Sequence, residues 1–463
     1  MDVATGPGVA GDRHRVSRPT IVAVCGAVAI VILARPAALT FDSWAWLVWG
    51  REVGRLDLDT TGGPSWKPLP VLLTTVVAPL GPLAVPVWLA IARTGALLAL
   101  AATHRLASRL AGPIAGVIAA ALLVLTPDGD PRFLRLLAEG HVAPWSIACA
   151  LFAVELHLEG RRTGALALGL AASLLRPEAW LLLGAYAGWL WWRDRPRRAV
   201  VVGVLAVIPL LWFGGDWWGS GSPFHGAGTA QVVASTSILT RTSDAVIVAA
   251  QMVAVPVWIG AAVGLGSVWR RREHGMVVAA AGAVVWSASV VAMATLFGYA
   301  ALSRFFLPAA AVLCVLAAVG AVRVLRAPRT VPVVVAVGLG ALLLLPRLSG
   351  IPSVVRDAAD RAPAEDDLDA VLDAVGEDRL LSCGGLAVDG VGLLRTSVAW
   401  KLDLPQHRVT LDLDGSPPTG VMVMRAGGPR DEAISRQDHT EPVLRSTHWA
   451  VLAVNCPSAL PDS

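Results

Sequence analysis

The sequence predicts a mainly α, polytopic transmembrane protein of about eleven spans, with a small extracytoplasmic α/β domain at its C-terminal end. Three observations lead there. Mean hydropathy is +0.63 and 55% of the 463 residues are apolar, more apolar surface than a chain folded in water can hide. Apolar runs of about 20 residues, bounded by arginine or by Gly, Pro and Trp, recur from residue 20 to residue 346. After Arg347 the texture changes: residues 350–463 are acidic and mixed, with strand-like runs at Gly420–Met424 and Trp449–Val454, a helical pattern at Asp366–Val375, and loops rich in Gly and Pro.

Residues 1–19 are polar and basic and lack a small-residue cleavage site after the first apolar run, so they read as a cytoplasmic segment before an uncleaved first span. Arginine clusters set the inner face: Arg13, Arg15 and Arg18; Arg105 and Arg109; Arg161 and Arg162; Arg193 to Arg198; Arg270 to Arg272; Arg323, Arg326 and Arg329. Spans threaded between them run over 20–39, 83–103, 112–126, 142–158, 164–175, 177–192, 199–214, 245–266, 276–298, 303–322 and 330–346. The segment 69–80 is short and flanked by proline, and reads as an interfacial or half-inserted piece. This divides the chain into 1–19, a membrane domain over 20–346, and a soluble domain over 350–463 on the outer side of a plasma membrane. The net charge of +4 sits in short inter-span loops, where it reports orientation; no nucleic-acid patch is visible.

Of the five cysteines, Cys25, Cys149 and Cys314 fall in apolar spans as packed thiols. Cys383 and Cys456 share the soluble domain, and on an oxidising face they pair as a disulfide.

Ionisable residues collect on the outer face, where positive charge is normally scarce: Asp42, Asp57, Asp59 and Lys67; Asp128, Asp130, Arg132, Arg135, Glu139 and His141; Arg176 and Glu178; Asp216 and His225; Arg304. Asp42 directly follows the first span, as a helix-end cap or as a partly desolvated functional carboxylate. Lys67 is one of only two lysines, the other being Lys401. It can snorkel to headgroups beside Trp66, or be held as a fixed cation by the extended backbone that Pro68 and Pro70 impose. Arg176-Pro177-Glu178 reads as a tight hairpin with an internal ion pair or as part of a site. Arg304, at an outer span end, favours a phosphate contact over an anchor. Asp128, Asp130, Glu139 and His141 could ligate a divalent cation, but at a spacing that matches no metal motif. The tryptophans, 18 in all, are mostly interfacial belt residues, with Trp44 and Trp46 able to stack on a sugar ring.

In order, FDSWAWLVWGRE, SWKPLPVL and SRFFLPAAAVLCVLAAVG resemble the GT-C superfamily of polytopic glycosyltransferases, especially its protein O-mannosyltransferase and lipid A aminoarabinose transferase branch. Those proteins place an acidic pair after the first span, close the first outer loop on Lys-Pro-Pro-Leu, and carry a later Arg-Tyr-Leu-Leu-Pro. Here the acidic pair reads Asp42-Ser43, the lysine motif reads Lys67-Pro68-Leu69-Pro70, and Arg304 falls on the later arginine. The likeness covers 20–325 in layout, and the segment after 350 matches no family in letters.

The resemblance implies transfer of a sugar from a polyprenyl-phosphate donor to an acceptor hydroxyl of an envelope glycan, lipid or protein, in one inverting displacement without a covalent glycosyl-enzyme. Asp42 would be the base, with Lys67, Arg304, Arg176 and His141 on the donor phosphate. Glu139, Asp59, Asp128 and Asp130 would contact acceptor or cation. A transporter or flippase for lipid-linked sugars is the rival, although such proteins place ionisable groups at mid-membrane and in two related halves. A non-catalytic envelope-assembly protein is the third reading.

Overall fold

The computed structural model describes residues 16–125, 132–326, 331–389, 392–412 and 419–456. Helix α1 (Arg18–Val31) starts where the Ser17 hydroxyl accepts the Thr20 N–H at 3.3 Å, with proline in its first turn. After a 3₁₀ turn at Ile32–Ala34, α2 (Phe41–Arg55) is capped in the same way by Thr40, which accepts the Ser43 N–H at 3.3 Å, and it ends on Leu56 in the left-handed region. Asp42 is therefore a first-turn residue and not the cap.

Helix α3 (Pro68–Val77) starts on a proline, tolerated because the first helical N–H groups have no intrahelical partner. A 3₁₀ segment kinked at Gly81, before Pro82, joins it to α4 (Ala84–Ala111). The segment expected to stand apart at 69–80 is thus continuous with a helical stretch over Pro68–Ala111. There follow α5 (Pro113–Leu125), the short α6 (Arg132–Ala138), α7 (Ala143–Leu158), α8 (Arg162–Leu175), α9 (Trp180–Arg193) and α10 (Arg198–Ser220). The short α11 (His225–Thr229), α12 (Ile238–Ala250), α13 (Val255–Arg270), α14 (His274–Phe297), α15 (Leu307–Arg326) and α16 (Val331–Leu342) complete the apolar part.

Among the described residues, five helical segments are long and apolar enough to cross a membrane, or seven if each of two bent pairs counts as one. The expected eleven divides this material more finely, because runs such as Pro113–Leu125 and Arg162–Leu175 fold as short apolar helices. The expected span 245–266 is not one straight helix. It is broken into α12 and α13, bent by 74°. Pro256 has no N–H to continue α12, and Ala254 before the second helix is extended.

Helix α15 is the hub of the helical part, buried along nearly its whole length. Its seam with α13 depends on glycine. A Cβ on Gly264 would lie 1.9 Å from the Leu316 carbonyl oxygen, and one on Gly320 would lie 2.5 Å from that of Gly260. Small residues let the two backbones meet, as is usual where lipid offers no competing hydrophobic drive. Arg304 immediately precedes this fixed helix.

The C-terminal part begins with α17 (Ile351–Val375), longer at its N-terminal end than the pattern at 366–375 suggested, followed by α18 (Glu377–Leu381). Strands β1 (Leu386–Asp389), β2 (Val409–Asp412), β3 (Gly420–Arg425), β4 (Thr440–Arg445) and β5 (Trp449–Val454) form one mixed sheet in the order β2-β1-β3-β5-β4. β1 is parallel to β2 and β3, whereas β5 is antiparallel to β3 and β4. Helices α19 (Gly392–Lys401) and α20 (Pro429–Ser435) complete it, and a disulfide joins Cys383 to Cys456, whose Cα atoms are 5.7 Å apart.

This domain grips α2. Val48 of α2 is fully buried in the cluster formed by Leu368, Leu394, Val398 and Val423. Arg51, buried under the C-terminal end of α19, donates to the carbonyls of Trp400 at 3.1 Å and Leu404 at 2.8 Å, and pairs with Asp403 at 2.8 Å. Beside it, burial pushes the Glu52 carboxyl up to about 8, against the Asp59 N–H that it accepts at 3.0 Å. A carboxyl with its folded value raised stabilises the fold below its ordinary range and loses that contribution as pH rises from 4.5 towards 8. Thermal unfolding in detergent should therefore show wild type losing stability over that window and Glu52→Gln remaining flatter, since glutamine still accepts the Asp59 N–H. A shared slope would separate the pH dependence from Glu52.

Candidate functional site

The site is built at the N-terminal end of α2. The Ser43 hydroxyl donates to the Gly140 carbonyl at 3.0 Å, which ties α2 to the loop between α6 and α7. An aspartate at position 43 would set its charge against that carbonyl, so the single carboxylate of Asp42-Ser43 fits the local structure. Gly140 has φ +67, and a Cβ there would lie 2.9 Å from Leu39; a larger residue would displace the loop. The Thr74 hydroxyl donates to the Trp46 carbonyl at 2.6 Å and pins α3 to α2.

Three nitrogens converge on one oxygen. His141 Nε2, Arg304 Nη2 and Lys67 Nζ lie 3.3, 3.6 and 3.8 Å from Asp42 Oδ2. All three separations exceed the usual hydrogen-bond range, and the His141 contact is not aligned as one. The three groups surround the carboxylate without closing on it.

The electrostatics follow from burial and neighbours. Burial alone would raise the Asp42 carboxyl, but Lys67, His141 and Arg304 outweigh it and hold the group well below the usual carboxylate range. Burial pulls the Lys67 ammonium down to about 8, with Asp42 opposing and Arg176 and Arg304 assisting. His141 is pushed by burial to about 3, and its Nδ1 accepts the Ala143 N–H at 2.9 Å. It is therefore a neutral imidazole with its proton on Nε2. In that form His141 offers a neutral N–H donor beside Asp42.

Arg176 is buried at the end of α8, its guanidinium 4.2 Å from the centre of the Phe305 ring, whose other cationic neighbour is Arg304 at 5.6 Å. Burial lowers it to about 10, opposed by Glu178. The ion pair expected inside Arg176-Pro177-Glu178 is not made. Arg176 Nη2 and Glu178 Oε2 are both buried without a hydrogen-bond partner. Lys67, Arg176 and Arg304 against Asp42 and Glu178 leave the cluster one positive charge in excess.

Two further residues expected at the site, Glu139 and Asp59, have partners in the C-terminal domain. Glu139 accepts from Arg361 of α17 at 2.8 Å, and Arg135 pairs with Asp357 of the same helix at 2.9 Å. Asp59 accepts from Thr61 and pairs with His407. Both carboxylates thus join the C-terminal domain to the helical part. Asp128 and Asp130 lie outside the described residues. Among the described residues, no group of three or more His, Cys, Asp or Glu side chains is placed to hold a metal ion.

Directly beyond Lys67, an apolar cleft of about 320 Å³ is lined by Trp66, Pro68, Val71, Leu210, Leu211 and Trp218 among others. Sequence reasoning missed the cleft and gave Glu178 no role of its own. The cleft combines α3 with α10, more than a hundred positions apart, and only the Lys67-Pro68 step hinted at it. Glu178 was visible, but its adjacency to Arg176 suggested mutual neutralisation.

No family model and no curated protein sequence matches the chain. The fold is shared with a solved membrane-protein structure over nearly the whole length of both chains. In particular, the chain is similar to ArnT from Cupriavidus metallidurans bound to undecaprenyl phosphate, at TM-score 0.53 and 16% identity over 96% of this chain and 99% of that one. Against the apo state of the same protein the TM-score is 0.51 at 16% identity, covering 94% and 97%. A looser likeness, with TM-score 0.46 and 12% identity over 88% of this chain and 68% of that one, is to the Archaeoglobus fulgidus oligosaccharyltransferase.

Proposed function

We propose that this protein transfers a sugar from a polyprenyl-phosphate donor to an acceptor hydroxyl at the outer face of the membrane, with the C-terminal domain on that side. The observation that carries the reading is the convergence of Lys67 and Arg304, from distant parts of the chain, on Asp42 beside an apolar cleft. A lipid phosphate needs this combination: cations for its head and an apolar surface for its chain. The undecaprenyl phosphate bound to ArnT, whose fold this chain shares, supports the same class of ligand.

In the proposed reaction the acceptor oxygen attacks the anomeric carbon while the bond from that carbon to the phosphate oxygen breaks. The acceptor proton passes to Asp42, and polyprenyl phosphate leaves with the bonding electron pair and one further negative charge. One displacement inverts the anomeric centre. Lys67, Arg304 and Arg176 bind the leaving group more strongly as its charge grows, so their contribution is to rate and not only to affinity. In the resting site the same cations make Asp42 a poor base. A donor phosphate that draws Lys67 and Arg304 towards itself weakens their hold on Asp42 and raises its basicity, so that donor binding prepares the base.

The test is transfer in detergent or proteoliposomes from a panel of labelled polyprenyl-phosphate sugars. Formation of a glycosylated acceptor with stoichiometric release of polyprenyl phosphate is expected. Translocation of intact lipid-linked sugar without transfer would overturn the proposal in favour of a flippase.

A further inference from the structure

We propose that Glu178 is the residue that reads the donor sugar, accepting hydrogen bonds from its hydroxyl groups. The inference rests on the glycosyl-transfer reading and adds to it the part of the site that faces the sugar. Glu178 sits on the 3₁₀ turn Pro177–Ala179 between α8 and α9 and is 4% exposed. Its Oε2 has no hydrogen-bond partner, and neither has Nη2 of neighbouring Arg176. Were Glu178 present only to neutralise Arg176, the two would close into an ion pair, because leaving a charged polar atom buried and unpaired is costly. They stay apart, each with an unused atom of opposite hydrogen-bonding character.

The chemistry of those two atoms limits what can satisfy them together. An ionised carboxylate only accepts hydrogen bonds, and phosphate oxygens offer it none and repel it. The guanidinium only donates, and phosphate oxygens suit it. A glycosyl phosphate presents both faces within one small ligand, phosphate oxygens for Arg176 and hydroxyl protons for Glu178. The field of Glu178 also reaches the Lys67 ammonium and the Tyr299 phenol, which places it at the same cluster and opposite the segment after α14. Metal ligation is the other common use of such a carboxylate, but among the described residues no set of ligands accompanies it.

The experiment measures two probes on full-length wild type, Glu178→Gln and Glu178→Asp: binding of sugar-free undecaprenyl phosphate, and transfer from the donor of the panel that wild type uses best. Glu178→Gln should bind the sugar-free lipid within about twofold of wild type, which also shows that it is folded. Its kcat/KM for transfer should fall about 10- to 100-fold, the range for a hydrogen bond to a charged group. A donor lacking the one hydroxyl concerned should cost wild type a similar factor and cost Glu178→Gln almost nothing further. Glu178→Asp should recover part of the loss. Equal weakening of both probes would reduce Glu178 to a support for Arg176 and overturn the proposal, as would unchanged transfer. Wild type that binds the lipid but transfers no sugar would instead refute the underlying reading, and this proposal with it.

Discussion

Asp42→Asn should lower sugar transfer by about 10² to 10⁴, the range of a general base, while the protein remains folded and binds polyprenyl phosphate. Asparagine keeps the size of the side chain and an oxygen that can accept from His141, so the neighbouring loop need not move. It cannot take the acceptor's proton. The alternative role of a helix cap belongs to Thr40, whose hydroxyl holds the Ser43 N–H, so a stability loss through capping is not expected. A secondary effect has to be kept separate. Asp42 is the main group that raises the Lys67 ammonium against burial, and its removal lowers Lys67 further below its present value. The comparison is therefore made at pH 6.5 as well as at neutral pH, in membranes of equal protein content. Activity equal to wild type at both would remove Asp42 from the chemistry.

Lys67→Gln comes next in size. Loss of one group that stabilises developing charge lowers turnover by about 10² to 10³, and here Arg304 and Arg176 remain to hold part of the phosphate charge. The sign of the pH dependence is fixed by the cation. With Lys67 held at about 8 in the free protein, the charged form is present below that value and is lost as pH rises through it. The kcat/KM for transfer should fall on the alkaline side with a limb near 8, and Lys67→Arg should lack that limb because guanidinium stays protonated. A limb that persists unchanged in Lys67→Arg would assign it to another group.

The helices were legible because their apolar runs are long, and arginine alternation grouped Asp42, Lys67, His141, Arg176 and Arg304 together. The convergence of Lys67, His141 and Arg304 on one Asp42 oxygen was not legible, since no local pattern encodes where the starts of α3, α7 and α15 meet. The bend at 251–254, just before Pro256, was not legible, because hydropathy treats that apolar run as continuous. The ion pairs of Asp59 and Glu139 were not legible for a related reason: their partners, His407 and Arg361, lie hundreds of residues later in a domain that matches no family in letters. The neutral state of His141 was not legible, because it follows from burial and from the Ala143 N–H, neither of which leaves a mark in the sequence.

The grip of the C-terminal domain on α2 has a consequence for the order in which the molecule is made. Arg51 meets acceptors 349 and 353 positions later in the chain, and the Ala45 carbonyl accepts from Gln406, 361 positions later. At a synthesis rate of about 5–20 residues per second, the helix that carries Asp42 leaves the ribosome roughly 20 to 70 s before its last packing partner. During that interval α2 has an arginine without its carbonyls and a valine without its core. The site therefore reaches its final geometry only after the chain is nearly complete. A protein truncated before residue 392 would be expected to insert its apolar helices and yet hold Asp42 on an unsupported helix.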